Sequence, residues 1–212
     1  MAMGFAVGSL CFALGAIPGY ARLVGPGPDA ITYFVGSIFF TTAGYLQFFE
    51  CINTGRAEGE RRRFGAVQPG RIDWWATAIQ FAGTLFFNIS TFDATRTGLS
   101  AHGDNVYVWA PDVLGSICFL VASELAFAEA GHRWLSWLPH DLGWTIAGLN
   151  LLGSVFFGIS AIGAYVIPRT DELLNEAAAN AGTFLGAVCF LVGALLLLPE
   201  SAAEPPAATA PA

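Results

Sequence analysis

A five-residue pattern occurs six times in this chain, each time inside a long apolar stretch. Each copy has a Gly, a small residue, two residues that are mostly bulky and apolar or Cys, and then a Phe. The copies begin at Gly8, Gly36, Gly83, Gly115, Gly153 and Gly186 and end at Phe12, Phe40, Phe87, Phe119, Phe157 and Phe190. Such repetition indicates one supersecondary unit that is copied and packed against itself. We therefore predict helices that share one packing surface.

The low content of charged residues predicts that these helices cross a membrane. Charged residues make up 12% of the 212 residues, whereas soluble domains contain about 25%. The charges are also segregated, since residues 74–92 contain none. About 20 apolar residues in a helix span a bilayer core. The fold class is therefore predicted to be all-α, a polytopic membrane protein with six spans at residues 3–22, 29–50, 73–94, 107–129, 143–167 and 180–199.

Two further regularities group the six spans into hairpins. The second, fourth and sixth spans each place a Glu fourteen residues after the pattern Gly, at Glu50, Glu129 and Glu200. The third and fifth spans instead place a carboxamide three residues before it, at Gln80 and Asn150. We expect a single membrane domain over residues 1–200, built from hairpins at about 1–52, 73–130 and 143–200. The Ala/Pro-rich residues 201–212 are predicted to be disordered.

Small residues recur seven and eight positions after every pattern Gly. A spacing of seven keeps them on the helix face that carries the Gly. Helices in lipid associate through close backbone approach, which needs small residues. Each helix is thus predicted to present one shallow groove, with the pattern Phe near its middle, and exposed grooves would allow oligomerisation.

This hairpin, with Gly-Ser/Thr-x-x-Phe in each helix and a Glu at the end of one helix, resembles the small bacterial YrhK-like membrane domain. The resemblance is clearest over residues 29–50, 107–129 and 180–200. It implies an integral bacterial membrane protein and implies no activity. Three hairpins in one chain, and the loops that join them, depart from the single compact hairpin of that domain.

The Arg distribution predicts the orientation. Loops 53–72 and 131–142 contain six Arg residues, and the opposite loops contain Arg22, Arg96 and Arg169. Because short cytoplasmic loops are enriched in basic residues, we expect both termini in the cytoplasm of a bacterial cell, with the chain in the plasma membrane.

Five polar residues inside the spans are candidates for function, namely Glu124, Asn88, Asn150, Gln80 and Gln47. A carboxylate at membrane depth is costly and is a functional candidate by default. One hypothesis is a proton or cation pathway formed by Glu124 with the amides. The alternative is that Glu124 reaches the interface and the amides hydrogen-bond between helices.

Several other functions lack support in the sequence. The net charge of −7 argues against nucleic acid as a partner. His102, His132 and His140 lie in loops without ligand spacing, so we predict no metal and no cofactor. The favoured function is structural or interaction-based, with the lipid bilayer and either a second copy or another membrane protein as partners. A small transporter or channel is the alternative, and a membrane enzyme with loop histidines is a third hypothesis.

Overall fold

The computed structural model describes residues 1–57, 59–132 and 137–203, with side chains up to residue 198. Arg133, the Glu200 side chain and residues 204–212 of the predicted tail therefore lie outside the described residues. Described residues 201–203 continue the last helix. The elements are α1 (Ala2–Gly15), α2 (Pro18–Val24), α3 (Pro26–Asn53), α4 (Ile72–Asp93), α5 (Ala101–Asp104), a π-helical segment (Asn105–Trp109), α6 (Ala110–Ala130), α7 (Leu142–Gly163), β1 (Val166–Ile167), β2 (Glu172–Leu173) and α8 (Glu176–Ala203).

Local signals explain where several helices begin. Pro18 and Pro26 occupy the first turns of α2 and α3, where a missing N–H costs no hydrogen bond. Gly25 joins these helices with a φ of 86°, a left-handed conformation that suits Gly. At the start of α7, the Asp141 carboxylate accepts a hydrogen bond from the backbone N–H of Trp144 at 2.7 Å.

In the described part of the chain, six helices form a closed ring. Within the predicted hairpins, α1 packs on α3, α4 on α6, and α7 on α8. The hairpins are joined by contacts of α3 with α4 and of α6 with α7, and α8 packs on α1 to complete the ring. The described chain is thus all-helical apart from the short antiparallel pair β1–β2, in agreement with the predicted class.

Length and composition identify fewer spans than the six that were predicted. Among the described residues, the helices Ala101–Ala130, Leu142–Gly163 and Glu176–Leu198 are long and apolar enough to cross a membrane. A fourth span results only if α1 and α2, which meet at an 81° bend, are taken together. The predicted span 3–22 is therefore broken, since α1 ends at Gly15 and Pro18 starts a new helix. The span 143–167 also ends early, because residues 166–167 belong to β1.

Different apolar side chains line the interior and the exterior of the ring. The core contains the six pattern Phe residues together with Phe5 and several Ala side chains. Two positions after each pattern Gly, a branched apolar side chain faces outward in at least five helices, at Leu10, Ile38, Leu85, Ile117 and Val155. A belt of exposed apolar side chains around a helical ring is typical of a membrane protein.

Candidate functional site

Within each hairpin, the Gly of one helix lies against the Phe of the other. A Cβ atom built on Gly8 would stand 2.9 Å from Cδ2 of Phe40, and one built on Gly36 would stand 2.9 Å from Cδ2 of Phe12. The same reciprocal contacts join Gly83 with Phe119, Gly115 with Phe87, Gly153 with Phe190, and Gly186 with Phe157. Gly and Phe therefore recur together because each Gly leaves room for the ring of its partner helix.

A second face of each helix packs against the neighbouring hairpin. The hydroxyls of Ser37 and Thr91 are 2.8 Å apart between α3 and α4, and those of Ser123 and Ser154 are 2.8 Å apart between α6 and α7. These residues occupy the positions one and eight after a pattern Gly. The prediction of a single groove was thus too simple, because one residue in a helix is a rotation of about 100°. The Gly positions face within the hairpin, and the next positions face between hairpins.

The six pattern Phe side chains meet on the axis of the ring and are all buried. We call this group the phenylalanine cluster. The rings from α1, α4 and α7 contact one another with centroids 5.9–6.3 Å apart: Phe12, Phe87 and Phe157. The rings from α3, α6 and α8 do the same at 5.6–6.3 Å: Phe40, Phe119 and Phe190. Two three-membered aromatic layers therefore fill the middle of the bundle.

Asn88 forms hydrogen bonds between helices. Its Oδ1 accepts from the Ser37 hydroxyl at 2.7 Å, and its Nδ2 donates to the Thr41 hydroxyl oxygen. Both partners belong to α3, whereas Asn88 belongs to α4. Asn88 thus links two hairpins, which agrees with the interhelical alternative for this residue.

The other three candidate amides come together at one end of the phenylalanine cluster. Gln47, Gln80 and Asn150 line one pocket of about 20 Å³, along with Phe5 and Phe190. The Oε1 atom of Gln47 is buried there and accepts no hydrogen bond from the described residues. A pocket of this size has room for about one water molecule. Residues far apart in sequence therefore form a small polar site at one end of the axis.

Glu124 is not brought together with these amides. It is half-buried, lines none of the five pockets described, and makes no hydrogen bond or ion pair with a described residue. Of the predicted pathway residues, the structure therefore groups Gln47, Gln80 and Asn150 and leaves Asn88 and Glu124 elsewhere.

A much larger cavity lies at the other end of the axis. Its volume is about 410 Å³, and three rings of the phenylalanine cluster form one wall: Phe12, Phe87 and Phe157. The cavity is also lined by Tyr33, Asp112 and Thr183. These residues are equivalent, since each lies three positions before the pattern Gly of α3, α6 or α8. We call this space the axial cavity.

Two carboxylates, Asp104 and Asp112, line the axial cavity, and no basic side chain among the described residues does so. Neither carboxylate makes a side-chain hydrogen bond or ion pair with a described residue. In a regular α-helix, residues eight apart differ by about 80° around the axis. The π-helical segment Asn105–Trp109 lies between them, and its wider turn brings both onto the cavity side.

Hydrogen bonds beside the axial cavity join the π-helical segment to α7 and to β1. The Asn105 side chain bonds both backbone groups of Val166, donating to the carbonyl at 2.7 Å and accepting from the N–H at 3.0 Å. Trp109 Nε1 donates to the carbonyl of Ala161 at 2.8 Å. These bonds fix the π-helical segment, and hence the two carboxylates, relative to α7.

Sequence reasoning missed Asp112 and Asp104. A signal was available for Asp112, because it is a carboxylate inside the predicted span 107–129 and such residues are rare in membranes. No comparable signal exists for Asp104, because its position beside the axial cavity depends on a π-helical segment that no residue pattern predicts.

The loop that joins α3 to α4 is organised by Arg71. Its guanidinium donates to the Cys51 carbonyl at 3.1 Å, to Gln68 Oε1 at 2.7 Å and to the Asp73 carboxylate. Hydrogen bonding to Asp73 raises the pKa of Arg71 further above its usual value. By contrast, the run Arg61, Arg62 and Arg63 is exposed, as expected for a solvated loop.

Within the described ranges, no group of three or more His, Cys, Asp or Glu side chains is placed to hold a metal ion. Comparisons with protein-family models, curated proteins and solved structures found no match to this chain.

Proposed function

We propose that this chain is a six-span integral protein of the bacterial plasma membrane with a structural or interaction role and no conducting pathway along its axis. The observation that carries the proposal is the phenylalanine cluster, whose two aromatic layers separate the axial cavity from the amide pocket. An ion crossing this layer would lose its hydration without gaining polar ligands, which is costly.

The equivalence of the helices in the ring supports six spans. Helices α3 and α4 contain 28 and 22 residues and are therefore about 42 and 33 Å long, enough for a bilayer core. Ile38 on α3 and Leu85 on α4 face outward like their counterparts on the more apolar helices. The bent first helix is the exception, since its 14 residues reach only about 21 Å.

The proposed orientation places the axial cavity on the extracytoplasmic side and both termini in the cytoplasm. It follows from the Arg residues of the loops predicted to be inside: Arg56, Arg61, Arg62, Arg63, Arg71 and Arg133. Labelling of single cysteines placed at Gly65 and Gly98 in intact cells tests it, in a background without native cysteines. A membrane-impermeant maleimide should modify the second position and not the first, and the reverse pattern would overturn the orientation.

The partners we propose are lipid and either a second copy or another membrane protein. The small-residue faces are occupied by helices of the same chain. An intermolecular contact would therefore use the outward branched side chains, such as Leu10 and Ile117. A relationship to the YrhK-like domain also remains a proposal, and it would mean that three such hairpins close into one ring.

Flux measurement in liposomes tests the closed axis. Reconstituted wild-type protein should release protons and potassium no faster than protein-free liposomes. Phe119→Ala is the matched variant, because it removes a ring that is only 1% exposed. If the phenylalanine cluster is the barrier, this variant should show a measurable leak. Wild-type flux well above the lipid background would overturn the proposal.

A small transporter is the second candidate, because Gln47, Gln80 and Asn150 converge on one pocket. It predicts cation flux by the wild-type protein that Asn150→Leu abolishes. If Glu124 belongs to that pathway, Glu124→Gln should abolish the flux as well.

A further inference from the structure

The axial cavity has the features of a ligand site that the proposed structural role does not require. Its volume of about 410 Å³ falls in the range of small-molecule pockets, roughly 300–1,000 Å³. The ligand class is indicated by the charge and shape of the lining.

The ionisable side chains described in the lining are acidic and have no basic partner there. Asp104 and Asp112 both border the cavity, and no Arg or His among the described residues does. Both residues are half-buried, and an opposite charge nearby stabilises a carboxylate in such a place. A ligand carrying a positive charge would supply the missing partner.

The rest of the lining favours an organic cation over a metal ion. Hard cations such as Ca²⁺ take six to eight oxygen ligands, whereas much of this lining is apolar or aromatic. Three phenylalanine rings form one wall, and Tyr33 and Trp109 border the cavity as well. Aromatic faces attract ammonium groups and surround their alkyl substituents, as they do in sites for quaternary ammonium ligands.

The approach to the cavity is also acidic. A second cavity of about 620 Å³ adjoins it and shares Tyr33 and Asn180 in its lining. Asp29 and Glu176 border this outer space, against a single basic side chain, Arg22. An excess of carboxylates along an entry route raises the local concentration of cations.

We propose that the axial cavity binds a small organic ammonium ion, with Asp112 as its counter-charge and the aromatic rings around its alkyl groups. Asp104 contributes a second carboxylate to the lining. This inference goes beyond the structural role, and it holds whether or not the phenylalanine cluster blocks flux.

Calorimetric titration of the purified protein tests the proposal, in a maltoside detergent that contains no ammonium group. Choline is the probe, and 3,3-dimethyl-1-butanol is the uncharged control of nearly the same shape. Choline should bind and the alcohol should not. Equal binding of the two compounds, or no binding of choline, would overturn the proposal.

Two variants locate the charge, and a third is the matched control. Asp112→Asn should weaken choline binding about tenfold or more, and Asp104→Asn should weaken it less. Glu124→Gln removes a carboxylate from the same helix outside the cavity and should leave binding unchanged. Retained affinity in Asp112→Asn would contradict the proposal. If Asp112→Asn does not fold, Asp104→Asn becomes the test. An unchanged affinity of that variant for choline would contradict the proposal equally. Failure here would leave the liposome flux result unaffected, so the two proposals fail separately.

Discussion

The ring of Phe119 lies directly against the backbone of Gly83, so that a Cβ atom on Gly83 would stand 2.8 Å from Cδ2 of Phe119. The next closest atom is Cβ of Cys118, at 2.9 Å. Real Cβ atoms almost never approach other atoms so closely, so any side chain at position 83 must displace α6. Because the same contact recurs in all three hairpins, it defines how the bundle is built.

Gly83→Ala should therefore destabilise the protein by about 1–3 kcal/mol, the usual cost of overpacking. Gly158→Ala is the matched control, because a Cβ atom there would meet nothing within 4 Å. Replacing that helical Gly should leave stability unchanged or raise it slightly, since Ala favours helix. Thermal unfolding in detergent measures both variants, and equal melting temperatures would count against the packing described.

Phe119→Ala should cost about 3–5 kcal/mol, as is typical when a large aromatic side chain is removed from a core. Its ring contacts Phe40, Phe87 and Phe190 and is 1% exposed. Phe39→Ala serves as the control, because that ring is 39% exposed on the outside of α3. Equilibrium unfolding in mixed micelles should show a large loss for the first variant only. A loss of similar size for Phe39→Ala would mean that the cluster is not the core.

Asn88→Ala should weaken the junction between the first two hairpins. A double-mutant cycle with Ser37→Ala should give a coupling free energy of about 0.6 kcal/mol, and up to about 1.7 kcal/mol. Thr42→Ala is the control partner, since its hydroxyl bonds only the Ile38 carbonyl of its own helix, at 2.9 Å. Coupling of Asn88 to Thr42 but not to Ser37 would contradict the hydrogen bonds seen here.

Arg71→Gln should lower stability by about 1 kcal/mol, because a partly exposed charged side chain then no longer links α3 to α4. Arg62→Gln changes an exposed side chain of the same loop and should have no effect. Limited proteolysis of the loop is the readout. Faster cleavage of the Arg71 variant alone is expected, and equal rates would argue that Arg71 does not order the loop.

The repeat predicted a face of small residues beside each pattern Phe, because that face follows from spacing along one helix. It did not predict the division into two packing faces, since that depends on how six helices share contacts around a ring. Pro18 lies inside the predicted span 3–22, and a Pro there ends or kinks a helix, but it does not predict the 81° bend. The two acidic side chains of the axial cavity were not predicted together, because the π-helical segment that brings Asp104 and Asp112 to one side leaves no sequence signal.

The most direct test of the contact between each pattern Gly and the partner Phe is a double-mutant cycle between Gly115 and Phe87. A Cβ atom on Gly115 would stand 3.1 Å from two ring atoms of Phe87, so trimming the ring should relieve an added methyl group. Gly115→Ala should be less destabilising by about 1 kcal/mol in a Phe87→Leu background, whereas Gly158→Ala should have the same effect in both backgrounds. Additive effects of Gly115→Ala and Phe87→Leu would contradict the packing described, because Gly115 would then not be the residue that leaves room for the Phe87 ring.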